Sequence, residues 1–216
     1  MEAVFSDEQN QFRQEVRDWL NANVPSERLP SLDTQEGFDL HREWERKLHA
    51  GNWGMVTWPE EFGGRGCSLT DWLIFEEEYY LADAPLRVSQ NGIFLLGPTI
   101  MEYGTDEQKE RFLKPMAAGD EIWAQAWSEP GAGSDMAAIR SKAVRDGDAY
   151  VITGQKIWSS RAVFADWCFG LFRTDPESSR HHGLSKILVP LDSPGLTVRP
   201  IAQLDGDPVS YTHLTL

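Results

Sequence analysis

The feature that most constrains the fold of this chain is a change of texture at Gly119-Asp120. Before it, apolar residues recur every three or four positions and are preceded by helix-start signals. After it, short β-prone runs alternate with turn residues. Ser6-Asp-Glu-Gln9 is a capping-box pattern, and Phe12, Val16 and Leu20 then line one face of a helix that ends before Pro25. A second helix over residues 36–48 turns Phe38, Trp44 and Leu48 inward and ends in Gly51-Asn-Trp-Gly54. Ser68 or Thr70 caps a third, in which Leu73, Ile74, Glu77, Tyr80 and Leu81 keep helical spacing. A further apolar helix spans about residues 88–101, and Thr105-Asp-Glu-Gln108 opens one that Pro115 and Gly119 close.

Beyond residue 120, Asp146-Gly147 sits between β-prone runs and is the strongest hairpin signal in the chain. Strands are also predicted over residues 165–173, 184–189 and 196–201, separated by Asp175-Pro176, Pro190 and Ser193-Pro-Gly195. Helices followed by strands, without βαβ alternation, argue against a dinucleotide-binding doubly wound sheet. The expected class is α+β multidomain: an all-α N-terminal domain over 1–120, then a small antiparallel β-barrel or sandwich over 121–208.

Charge narrows the partners. Lys and Arg number 20 against 34 Asp and Glu, a net charge of −14, which disfavours binding to nucleic acid or anionic membranes. No window approaches the ~18 apolar residues of a membrane span, and the start lacks a secretory pattern. Cys67 and Cys168 read as free thiols, and the expected location is cytoplasmic. The nine Trp either fill a core or stack on a flat ligand. The run Glu76-Glu77-Glu78 reads as a mostly solvated helix face, because consecutive helical residues point in different directions. His181-His182 is a weak metal signal, and no metal site is expected.

Two stretches carry candidate chemistry. In Trp123-Ala-Gln-Ala-Trp-Ser-Glu-Pro-Gly-Ala-Gly-Ser-Asp135 an extended run breaks into a Gly-rich loop whose backbone N–H groups can converge on an acceptor. Ser128 and Ser134 add hydroxyls that donate and accept. In Trp158-Ser159-Ser160 a Trp after a strand can cover a planar ring while a neighbouring hydroxyl bonds it. On local grounds alone, a plain turn and a core Trp remain open alternatives.

These residues, as Ser128-Glu-Pro-Gly-Ala-Gly-Ser-Asp135 and Lys156-Ile-Trp-Ser-Ser160, resemble the two flavin-contacting signatures of the acyl-CoA dehydrogenases. Trp58-Pro-Glu-Glu-Phe-Gly-Gly64 and Tyr103-Gly-Thr-Asp-Glu-Gln-Lys109 are similar to motifs of that family's N-terminal domain. The resemblance runs in order over about residues 5–208. It implies an FAD enzyme that introduces an α,β double bond into an acyl-CoA and passes electrons to an electron-transfer flavoprotein, as a homo- or hetero-oligomer. Carried onto this chain, Gln125, Trp127 and Ser128 would lie along the flavin edge. Trp158 would pack on its ring, Ser160 would bond near N5, and Ser134 would reach the pyrophosphate or the acyl-CoA. Trp127 stands where the family usually has an aliphatic residue, and Ser160 where many members have Thr.

The family's C-terminal four-helix bundle, which supplies the catalytic Glu, has no counterpart in the sequence. None of Glu60, Glu61 and Glu129 matches that base, so no catalytic residue is assigned and the fragment is expected to be inactive. Val209-Ser-Tyr-Thr-His-Leu-Thr-Leu216 does not read as the strand the family would place there, and residues 209–216 are expected to be a non-native tail. Two other readings keep the resemblance: an acyl-CoA oxidase or flavin monooxygenase relative, and a non-catalytic subunit of a hetero-oligomer.

Overall fold

Three short-range capping devices start the helices of the first unit. In this computed structural model, which describes residues 5–202 and 208–215, helix α1 spans Asp7–Asn23 and begins at Ser6. The Ser6 hydroxyl accepts from the Gln9 amide at 3.2 Å, and the Gln9 side chain accepts from the Ser6 amide at 3.0 Å. The same reciprocal pair opens α3 (Leu69–Leu81) from Ser68 and α5 (Asp106–Ala118) from Thr105. Between them lie α2 (Gln35–Ala50), capped by Thr34, and α4 (Gly97–Tyr103), which continues a π-helical turn over Asn91–Leu96. The single helix expected over 88–101 is thus two consecutive helical forms.

The inward faces of α1, α2 and α3 make one aromatic core. Val16, Leu20, Trp44, Leu48, Trp53, Phe75 and Tyr79 are buried together. Trp53 stacks on Phe75 with centroids 5.8 Å apart and planes 6° apart, and the Trp44 indole N–H donates to the Tyr79 hydroxyl at 2.6 Å. Each such side chain contributes ~2–3 kcal/mol on leaving water. Trp44, Trp53, Trp58 and Trp123 are core residues, which answers the tryptophan question for four of the nine.

Three expectations need correction here. Helix α3 buries Ile74, Phe75, Glu78 and Tyr79, so Leu73, Tyr80 and Leu81 face out. Glu78 lies inside rather than on a solvated face, because Arg13 and Arg17 reach it from α1 at 2.7 and 2.8 Å. Those hydrogen bonds, Arg17 foremost, hold its carboxyl below the usual carboxylate range. Pro115 does not close α5; the helix runs to Ala118 and ends at Gly119, whose φ of +74° suits the left-handed cap.

The second unit is a curled seven-stranded sheet: β1 (Trp123–Ala126), β2 (Lys142–Asp146), β3 (Ala149–Lys156), β4 (Trp167–Arg173), β5 (Leu184–Pro190), β6 (Leu196–Ala202) and β7 (Pro208–Thr215). The strand order is β1-β4-β2-β3-β7-β6, with β5 on the other edge of β4. Gly147, at φ +61°, turns the β2–β3 hairpin as expected. The sheet is mixed rather than purely antiparallel, since β4 pairs in parallel with β1 along Trp123↔Trp167 to Ala126↔Gly170, and with β2 at Lys142↔Arg173. The 208–215 backbone was not expected to be a strand, yet it pairs antiparallel with both β3 and β6. Ladder bonding is a main-chain property, and a run with one Val, one Tyr and two Thr suits it. Leu216 lies outside the described residues. On the core face Ala124, Ala126, Ala143, Ile152, Cys168, Phe172 and Val189 pack together. No described helix is long and apolar enough to cross a membrane.

Candidate functional site

The two candidate stretches meet midway along β4, where β1 stops and β3, running the opposite way, also ends. The ladder between β1 and β4 stops at Ala126↔Gly170, and the chain then turns over Glu129-Pro-Gly-Ala132, where the amides of Glu129 and Ala132 each donate to the other's carbonyl at 2.8 and 3.1 Å. Where β3 ends, the Ile157 amide donates to the Ser128 carbonyl at 2.9 Å. That bond brings the two predicted segments side by side.

A buried charge pair reinforces the junction. The Lys156 ammonium, with no solvent exposure, donates to the Trp127 carbonyl at 3.1 Å, to Glu129 Oε1 at 2.8 Å and to the Leu171 carbonyl at 2.6 Å. Its three protons are all used. Glu129 also accepts from the amides of Arg140 and Ser141 at 2.8 and 2.9 Å. Burial pushes the Glu129 carboxyl up, but Lys156, Ser141 and Arg140 outweigh it and hold it below the usual range. Burial pulls the Lys156 ammonium below the ordinary lysine value against the pull of Glu129. Glu129 is therefore a structural anion rather than a proton acceptor. Sequence reading set it aside as a base but missed this pairing. The signal was available: Lys156 stands on the same face of β3 as buried Ile152, which is unusual for a lysine.

The other candidates divide by face. Gln125 and Trp127 share the face of β1 opposite the core residues Ala124 and Ala126. Gln125 is half-buried and registers with Phe169. Trp127 meets the Phe169 ring edge-on at 6.2 Å, and the Lys186 ammonium lies 5.7 Å from the Trp127 ring and 5.6 Å from Phe169. Burial lowers the Lys186 pKa from the ordinary lysine value. Trp158 projects from the end of β3, 60% exposed, with a left-handed φ of +60° that a non-glycine residue rarely adopts. Its neighbour Ser159 is buried and Ser160 exposed. Ser134 is exposed on the loop after Ala132.

Two buried polar atoms here lack any partner: Ser159 Oγ and the Trp127 indole nitrogen. An orphaned hydroxyl next in sequence to a strained, solvent-facing Trp is what a planar heterocycle with a polar edge would complete. The donor set fits a flavin. Among the described residues, no three His, Cys, Asp or Glu side chains are grouped to hold a metal ion.

Nearly the whole chain is similar to known proteins. Residues 6–120 match the family model "Acyl-CoA dehydrogenase, N-terminal domain" and residues 124–215 the model "Acyl-CoA dehydrogenase, middle domain". Acyl-CoA dehydrogenase IpdE1 of Mycobacterium tuberculosis is 46% identical over 202 residues, covering 91% of this chain and 52% of that protein. Among solved structures, the ChsE4-ChsE5 complex of M. tuberculosis superposes with a TM-score of 0.85 at 37% identity, over 100% of this chain and 55% of the matched one. The Tcur3481-Tcur3483 steroid ACAD does so with a TM-score of 0.84 at 33% identity, over 100% and 56%. The chain thus spans about half the length of the relatives it matches.

Proposed function

We propose, from the premise that this chain belongs to the acyl-CoA dehydrogenase family, that it forms the N-terminal and middle portion of an FAD-dependent enzyme that desaturates an acyl-CoA thioester at its α,β bond. The observation that carries this is the Ile157–Ser128 junction, which sets exposed Trp158 and orphaned Ser159 next to the Gly-rich turn. A bound flavin supplies the chemistry by accepting hydride from the acyl β carbon.

The chain's own residues bind and orient. Trp158 covers one face of the ring, Gln125, Trp127 and Ser128 meet its polar edge, and Ser160 sits beside them. Ser134 reaches toward the pyrophosphate or the acyl-CoA. The carboxylate within the site, Glu129, is consumed by Lys156 and two amides, so proton abstraction falls to a residue outside these 216. Alone, the chain binds FAD weakly and does not turn over.

Likeness to the ChsE4-ChsE5 complex and to a steroid ACAD supports an assembly with a second, different subunit and a bulky, ring-bearing acyl group. Electrons leave to an electron-transfer flavoprotein. The test is a titration of FAD into the chain, followed by flavin fluorescence, and then a turnover assay with acyl-CoA and a ferrocenium acceptor. Saturable quenching without turnover is expected. Sustained turnover by the 216 residues would overturn the assignment of the base to another part of the enzyme.

A further inference from the structure

The parallel pairing of β1 with β4 ends one residue before the Gly-rich turn, and that creates a local problem. At Trp127 and Leu171 the two strands part, so two main-chain carbonyls inside the sheet lose their ladder partners. The Lys156 ammonium, arriving from β3, donates to both and spends its third proton on Glu129. Glu129 in turn holds the amides of Arg140 and Ser141 just before β2. One ion pair thereby ties the end of β1, the approach to β2, the end of β3 and the middle of β4. The two residues flanking it in sequence, Ser128 and Ile157, make the backbone bond between the two ligand-facing segments.

Stability alone does not explain a pair of this kind. Exchanging a buried ion pair for apolar groups of similar size is often neutral or stabilising. Lys156 has no solvent exposure and Glu129 has 8%, so both charges carry a full desolvation cost. What an apolar pair cannot do is hold two carbonyls and two amides at set distances. Two residues past Lys156, Trp158 occupies a backbone conformation that persists only where its surroundings over-determine it.

We infer that Lys156 and Glu129 are positioning residues: their ion pair fixes the spacing between the Ser128 edge and the Trp158 face, and so presets the slot for the planar ligand. The inference rests on the flavin reading of that slot. Neither residue touches the ligand.

The test compares wild type with Lys156→Met, Glu129→Gln and the charge-neutral double variant. Thermal melting, hydrogen exchange at the Ile157 amide and FAD affinity are measured on each. Each single change leaves an unpaired partner and melts lower. The double variant recovers much of that loss, yet its Ile157 amide exchanges faster and its FAD affinity falls by about tenfold or more. A merely structural pair would show affinity returning together with stability. Wild-type affinity in the double variant, or undiminished Ile157 protection, would overturn the inference. Should wild type take up no FAD while the double variant loses Ile157 protection, the flavin reading falls and the positioning role stands. If the double variant does not fold, the isosteric Glu129→Gln answers through the same two readouts: faster exchange with weaker FAD supports the role, and no change in either removes it.

Discussion

Trp158 combines a conformation that costs ~1–2 kcal/mol for a residue with a Cβ and a side chain that recovers little of it through packing, being 60% exposed. A bound ring would recover it. Trp158→Gly removes the strain, loses little burial and adds backbone entropy to the unfolded chain, so its stability should stay within about 1 kcal/mol of wild type. Its FAD binding should be lost, as a fluorescence titration would show. Glu129 yields a second prediction. Its folded-state pKa is held below the unfolded value of about 4.3, so its contribution is complete above that pH and is lost as pH falls through the depressed folded value. Urea midpoints from pH 7 down to 3 should fall more steeply in wild type than in Glu129→Gln. Both residues lie in motifs readable in the sequence. The alternation along β3 carried a signal for the buried Lys156 that Glu129 pairs with, whereas the left-handed φ of Trp158 is not encoded in neighbouring residue types.

At the scale of elements, helix starts were legible and helix faces less so. A capping box closes within four residues, so Ser6, Ser68 and Thr105 declare themselves. Which side of α3 turns inward depends on what α1 presents. Arg13 and Arg17 draw Glu78 inside, and the helix rotates Leu73, Tyr80 and Leu81 outward. Glu78→Gln keeps the shape and removes the charge that both guanidiniums share, so α1 should dock less firmly on α3. A loss of about 1–3 kcal/mol is expected. A urea titration would show it as a lower midpoint with an unchanged slope.

For the whole molecule, two compact units each bury their own core, and α3 leaves an apolar stripe facing out. Leu69, Leu73 and Tyr80 share one helical face, 73%, 60% and 68% exposed. Replacing Leu69 and Leu73 with Lys should leave the melting temperature unchanged and reduce concentration-dependent association, measured by light scattering. By itself the sequence determined what arises within a few residues: the helix caps, the Asp146-Gly147 hairpin, and the switch from helices to strands at residue 120. Its motifs also named the two segments of the candidate site. Tertiary structure alone decided that β1 runs parallel to β4, that Lys156 closes the gap where they part, and that Ser159 rather than Ser160 is the buried hydroxyl. Those features depend on main-chain groups far apart in sequence meeting where water is excluded, and an unmade hydrogen bond costs most there.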